Sequence, residues 1–193
     1  MTLVEAYNQI HATLRPQVQG TCGLYSFYNA VQILRQITPT LPNVPTPKKC
    51  ETAGQIPMSL RQYAKREFKS GQGEILSEPE MIAFIKAGGY KPLTCGKDDD
   101  RSKTDFFTIQ TRAGHPVMVA YLAGNAPSGV IPVPNAASGQ EGGHWSLVLA
   151  THGGNASVVE PNAPNALKIL KLGSNQCPAP GLGTRICREL GRH

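Results

Sequence analysis

Three side chains in this sequence are of types that together break acyl bonds: a cysteine, a histidine and a carboxylate. Cys22 stands where a loop-like stretch, Arg15–Thr21 (RPQVQGT), gives way to Cys22–Ile37 (CGLYSFYNAVQILRQI). The second segment is apolar nearly all round, which predicts a buried central helix. Backbone N–H groups at a helix start carry partial positive charge and stabilise a thiolate, and Gly23 lets other backbone approach closely. An isolated free cysteine is more often a small buried hydrophobe, so the case rests on its partners. His144 follows Gly142-Gly143 and opens the alternating strand His144–Thr151 (HWSLVLAT). An imidazole there can act as base toward a thiol and as acid toward a leaving group. Glu160 ends the returning strand Ala156–Glu160 (ASVVE), across the hairpin turn His152-Gly153-Gly154-Asn155. An acceptor in that place orients the imidazole, and the amide of Asn162 is the reserve for the role. A developing oxyanion would need donors. The Cys22 N–H is one, and Gln17 or Gln19 just upstream is the other.

The elements that must position these groups change character along the chain. A short amphipathic helix is predicted over Thr2–Leu14. Thr38–Pro57 holds five prolines and reads as an irregular excursion. A helix follows over Ser59–Phe68. Ser77, Pro79 and Glu80 form a capping-box start for a helix over Glu78–Ala87, ended by Gly88-Gly89. Thr104–Arg112 suits another helix. From Pro116 the period becomes that of strands: Pro116–Leu122 (PVMVAYL), then a Gly/Pro/Asn/Ser-rich loop over Gly124–Gly143, the His144 hairpin, and Ala166–Leu172 (ALKILKL) before a loop-rich tail. No internal repeat is visible. The expected architecture is α+β and a single domain over residues 1–193, with a helical lobe over about 1–113 and a sheet lobe over about 114–193.

Composition removes several function classes. Hydrophobic residues make up 40% and charged residues 17%, which suits a packed core and not a disordered chain. There is no apolar run long enough for a membrane span and no signal-peptide pattern at Met1–Glu5. A cytoplasmic setting, or non-classical export of a bacterial protein into a host cell, is therefore expected. The formal charge of +6 favours acidic or anionic partners. Its basic residues are scattered and not striped, so no nucleic acid is expected as partner. The 5 cysteines have irregular spacing without Cys-x-x-Cys, unlike a disulfide framework or a zinc knuckle. Cys177 and Cys187 are open to pairing or to two free thiols. Asp98-Asp99-Asp100 lacks companion ligands at metal-loop spacing and reads as an exposed loop. His115 reads as packing, His152 as turn polarity, and Trp145 as core. No cofactor or metal is expected.

The stretch Gln17-Val18-Gln19-Gly20-Thr21-Cys22-Gly23-Leu24-Tyr25-Ser26-Phe27 resembles the nucleophile motif of papain-like cysteine peptidases. Gly143-His144-Trp145-Ser146, with Glu160-Pro161 sixteen residues after the histidine, resembles their His and acid motifs. Gly114-His115-Pro116-Val117 resembles the Gly-x-Pro-Val strand of the bacterial peptidases that cut double-glycine leaders, the closest resemblance within that superfamily. The resemblance implies a papain-like fold, with Cys22 as nucleophile on a central helix, and with His144 and Glu160 on an antiparallel sheet. Two departures stand out. The family's oxyanion glutamine lies six residues before the cysteine, where this chain has Pro16, and its acid is an Asp or Asn. The implied activity is amide hydrolysis of a protein or peptide through an acyl-enzyme, with glutamine deamidation or acyl transfer as the near alternatives. The small size and the missing export signal suit a bacterial effector. A non-catalytic basic binding module and a salt-sensitive nucleic-acid binder are the competing classes. Neither requires Cys22 and His144 to meet.

Overall fold

A computed structural model of the chain describes residues 1–17, 20–44, 59–69, 71, 73–75, 77–94, 100–122, 143–171 and 183–187. In chain order the elements are α1 (Leu3–Ile10), a 3-10 turn (His11–Thr13), α2 (Cys22–Ile37), α3 (Leu60–Glu67), α4 (Glu78–Ala87), β1 (Lys91–Thr94), α5 (Asp100–Arg112), β2 (Val117–Leu122), β3 (Gly143–His152), β4 (Asn155–Val159), β5 (Leu167–Lys171) and β6 (Gly183–Cys187). Helix and antiparallel sheet are combined as expected. Among the described residues no helix is long and apolar enough to cross a membrane.

Helix starts are chemically explicit. Thr2, Ser59 and Ser77 each accept from the N3 backbone while the N3 side chain, Glu5, Gln62 or Glu80, accepts from the cap's own N–H. These reciprocal bonds satisfy donors that a helix start otherwise leaves open. Helix α2 is different: it follows Thr21 with no side-chain cap. The Thr2–Leu14 expectation resolves into α1 and a 3-10 turn, and α5 begins at Asp100, four residues before the expected Thr104. Asp100 is thus helical, while 98 and 99 lie outside the described residues, as does most of the 124–143 loop.

The six strands run in the order β1-β6-β2-β3-β4-β5, with every neighbouring pair antiparallel. Two of them correct the sequence expectation. β6 lies in what read as a loop-rich tail, and β1 in a stretch assigned to no strand. β1 carries Pro92, which a sheet tolerates on an edge, and β1 is an edge strand. β1 pairs with β6, Lys91 opposite Cys187 and Pro92 opposite Ile186, and β6 pairs on its other side with β2.

A β-bulge in β3 fixes which residues face which. Near the hairpin, His152 pairs with Asn155 and Ala150 with Ser157; past the bulge, Val148 pairs with Val158 and Leu147 with Val159. Continuing the second register by one step sets Glu160 opposite Ser146. Without the bulge Glu160 would stand opposite Leu147, on the other face, because a one-residue slip exchanges the faces of a strand.

β3 is covered on both sides. Trp145, Leu147, Leu149 and Val159 pack with Leu3, Phe27, Ile33 and Phe84 of the helical layer. Val148 and Val158 pack with Phe107 of α5, Val117, Val119 and Leu170, where Thr108 and Thr151 share a 2.8 Å hydroxyl hydrogen bond. Phe27 of α2 is an aromatic hub, edge-on to Phe84 and Tyr90 at 5.2 and 5.9 Å. The turn after α4 closes over it. Gly89 adopts φ +82°, the left-handed conformation glycine tolerates best, and a Cβ on Gly88 would lie 2.6 Å from Phe27 Cζ. Gly88→Ala is therefore expected to lower stability by about 1–3 kcal/mol, the usual cost of overpacking, measured by urea denaturation.

Candidate functional site

The start of α2 and the start of β3 meet edge to edge, and Trp145 joins them. Its backbone N–H donates to Cys22 Sγ at 3.4 Å. Its carbonyl accepts from Ser26 Oγ at 3.1 Å. Its indole N–H donates to the Ile75 carbonyl at 2.9 Å. Gly23 makes this approach feasible: a Cβ there would lie 3.0 Å from Met81 Cε, 3.2 Å from Ile75 Cβ and 3.2 Å from Trp145 Cδ1. Trp145 is core, as its apolar context suggested, and it is also the clamp between the two elements.

On the other side of the histidine, Nε2–H donates to Glu160 Oε2 at 2.8 Å. The second carboxylate oxygen, Oε1, accepts from Ser146 Oγ. With Nε2 engaged, Nδ1 is the ring atom left for Cys22, whose side chain also interacts with the imidazole. Cys22, His144 and Glu160 thus form one line of contacts, with 7%, 3% and 1% of their surfaces exposed. Cys22 is a free thiol. It lies in a largely buried setting.

The electrostatics of the line centre on the imidazole. Burial opposes charge on His144. The hydrogen bonds with Cys22 and Glu160, and the negative charge both partners can carry, outweigh burial and push its pKa up to about 9. At neutral pH the ring is then an imidazolium between two acidic groups.

The remaining candidates fall as follows. The Gln17 backbone N–H donates to the Pro161 carbonyl at 2.6 Å, which ties the loop before Cys22 to the turn after Glu160, and its side-chain Oε1 is buried. Tyr7 braces that turn from α1, its hydroxyl donating to the Pro164 carbonyl at 3.0 Å. Gln19 lies outside the described residues, as does Cys177, and with it any pairing to Cys187. Asn162 leaves the imidazole to Glu160, and its Nδ2 is buried without a hydrogen-bond partner. Ser146 joins the site through Glu160, a part its residue type alone does not announce. Its signal was its place two residues after His144, on the same face of a strand. Among the described residues no cluster of His, Cys, Asp or Glu could hold a metal ion. A cavity of about 580 Å³ lies at the far end of α2, lined by Leu34, Ile37, Arg112, His115 and Leu149 among others; neither a cysteine nor an acid lines it, and it is separate from Cys22.

No family model and no curated protein matches the sequence. Among solved structures, a crystal structure described as a "putative C39-like peptidase from Bacillus anthracis" matches with a TM-score of 0.52 over 90% of this chain and 92% of that one, at 12% identity. The chain shares its fold with that protein. That likeness is one of fold.

The imidazolium gives a pH prediction with a definite sign. His144 holds its proton more tightly folded, at about 9, than at the ordinary value of 6.5. Its stabilisation is therefore complete below about pH 6.5 and is lost as the pH rises through about 9. NMR titration of the ring should give a midpoint near 9, and Glu160→Gln should lower it. The wild-type melting temperature should also fall more steeply across that window than that of Glu160→Gln.

Proposed function

We propose that this chain is a cysteine-dependent amide hydrolase, a peptidase acting through an acyl-enzyme on a protein or peptide. The observation that supports it most is the unbroken line from Cys22 through His144 to Glu160, at the uncapped start of α2 in a C39-like fold.

In the proposed cycle the Cys22 thiolate attacks the amide carbon and a C–S bond forms. The carbonyl oxygen takes negative charge, held by the backbone N–H groups at the start of α2 and a side-chain amide, for which Gln17 and Gln19 are the candidates. His144 delivers its proton to the departing nitrogen as the C–N bond breaks. The neutral imidazole then takes a proton from water, which attacks the thioester and releases the acid. Glu160 stays ionised, keeps the ring turned toward sulfur and stabilises the imidazolium. Peptide cleavage, side-chain deamidation and transfer to an amine all pass through this acyl-enzyme. They differ in which amide arrives and which nucleophile leaves with the acyl group. Kinship with the double-glycine-leader peptidases belongs to the same proposal.

A thiol-directed electrophile is expected to label Cys22 selectively and to lose that label in His144→Ala. Equal labelling of all 5 cysteines, unchanged in His144→Ala, would overturn the reading in favour of a binding module. Incubating a proteome with wild type and with Cys22→Ala, reading new termini and Gln→Glu conversions, identifies the amide. Activity should vanish in Cys22→Ala and fall by about ten- to a hundredfold in Glu160→Gln, which removes a charged hydrogen-bond partner and not a reacting atom. A larger loss in Asn162→Ala than in Glu160→Ala would move the third role to Asn162.

A further inference from the structure

The acid of this site is a glutamate, and the sheet register explains why a shorter acid would not do. Continued one step beyond β4, the register sets Glu160 opposite Ser146, two residues along β3 from His144. Glu160 must therefore reach its target diagonally, two residues along the facing strand, where neighbours lie about 7–8 Å apart against about 4.5–5.5 Å for directly opposed residues. The extra methylene covers that distance. It also adds a rotatable bond, and a buried carboxylate with a spare torsion has more directions from which one must be selected.

Ser146 lies beneath the base of this reach. Its side chain is fully buried, it shares a strand face with His144, and its hydroxyl donates to Glu160 Oε1 while Oε2 accepts from His144 Nε2. Both oxygens are thereby committed, each to one of two residues on the same strand. We infer that Ser146 is a positioning residue of this site: its hydroxyl locks the long acid in the rotamer that reaches the imidazole, so that Ser146 and Glu160 act as one orienting unit. The catalytic sense of this rests on the hydrolase reading above; the positioning itself does not. The titratable groups acting on the imidazole are Cys22 and Glu160, so a movement of Glu160 is reported directly by the His144 titration.

The test compares Ser146→Ala and Ser146→Thr with wild type, using the NMR midpoint of His144, the rate of Cys22 alkylation by iodoacetamide, and a thermal melt to establish folding. In Ser146→Ala the carboxylate is released to turn off Nε2. The midpoint should fall below the wild-type value near 9, and alkylation at neutral pH should slow by about ten- to a hundredfold. Ser146→Thr keeps the hydroxyl and should restore both. Glu160→Asp, too short for the diagonal, should lower the midpoint even with Ser146 present. A folded Ser146→Ala protein with a midpoint at or above wild type overturns the inference, and so does an unchanged midpoint in Glu160→Asp. Should the alanine variant not fold, Ser146→Cys, similar in volume and a weak donor, replaces it under the same criterion. If Cys22 of the wild type resists alkylation altogether, the hydrolase reading fails, while the titration still decides the role of Ser146.

Discussion

An ionised carboxylate with 1% of its surface exposed survives inside a protein only if partners replace the water it has lost. Glu160 has those partners in His144 and Ser146, and much of the surrounding architecture follows from keeping the three together. The bulge in β3 turns the Ser146–His144 row to the same face as Glu160. The Tyr7–Pro164 and Gln17–Pro161 hydrogen bonds hold the turn beyond Glu160. Burying this group without its partners would cost several kcal/mol, so the charged line also constrains the strand pairing.

The thiol is held by a different kind of force. Its helix is anchored by apolar packing around Phe27, and its position against β3 depends on close approach at Gly23 and the three polar contacts of Trp145. Reactive group and base thus sit on elements with separate supports, a helix held by dispersion and a strand held by hydrogen bonds. Trp145 belongs to both supports, bonded to Cys22 and Ser26 of α2 through its backbone and to Ile75 through its indole.

What could be read from the sequence was local in origin. The bounds of α2 at Cys22–Ile37 and α4 at Glu78–Ala87 coincide with those expected from apolar periodicity, the Ser77–Glu80 box and the paired glycines. The chemically suggestive residues stood out by type and order, and the structure brings Cys22, His144 and Glu160 together. What escaped was non-local. β1 and β6 pair over roughly ninety residues of chain, a contact that no window of propensity contains. The bulge was equally hidden: an unbroken hairpin count places Glu160 on the wrong face, and only the true register shows Ser146 beneath it. Trp145 was legible as core, while its backbone bond to Cys22 depends on where α2 docks.

The position of β6 has a consequence for how the molecule comes into being. This strand, the last in sequence among the described residues, is inserted between β1 and β2. Until synthesis has passed Cys187, β1 has no neighbour to bond with and β2 presents an open edge, the kind that recruits other chains. The sheet that carries His144 is therefore completed only after residues 183–187 have been made, and a nascent chain stalled before Gly183 is one that needs shielding.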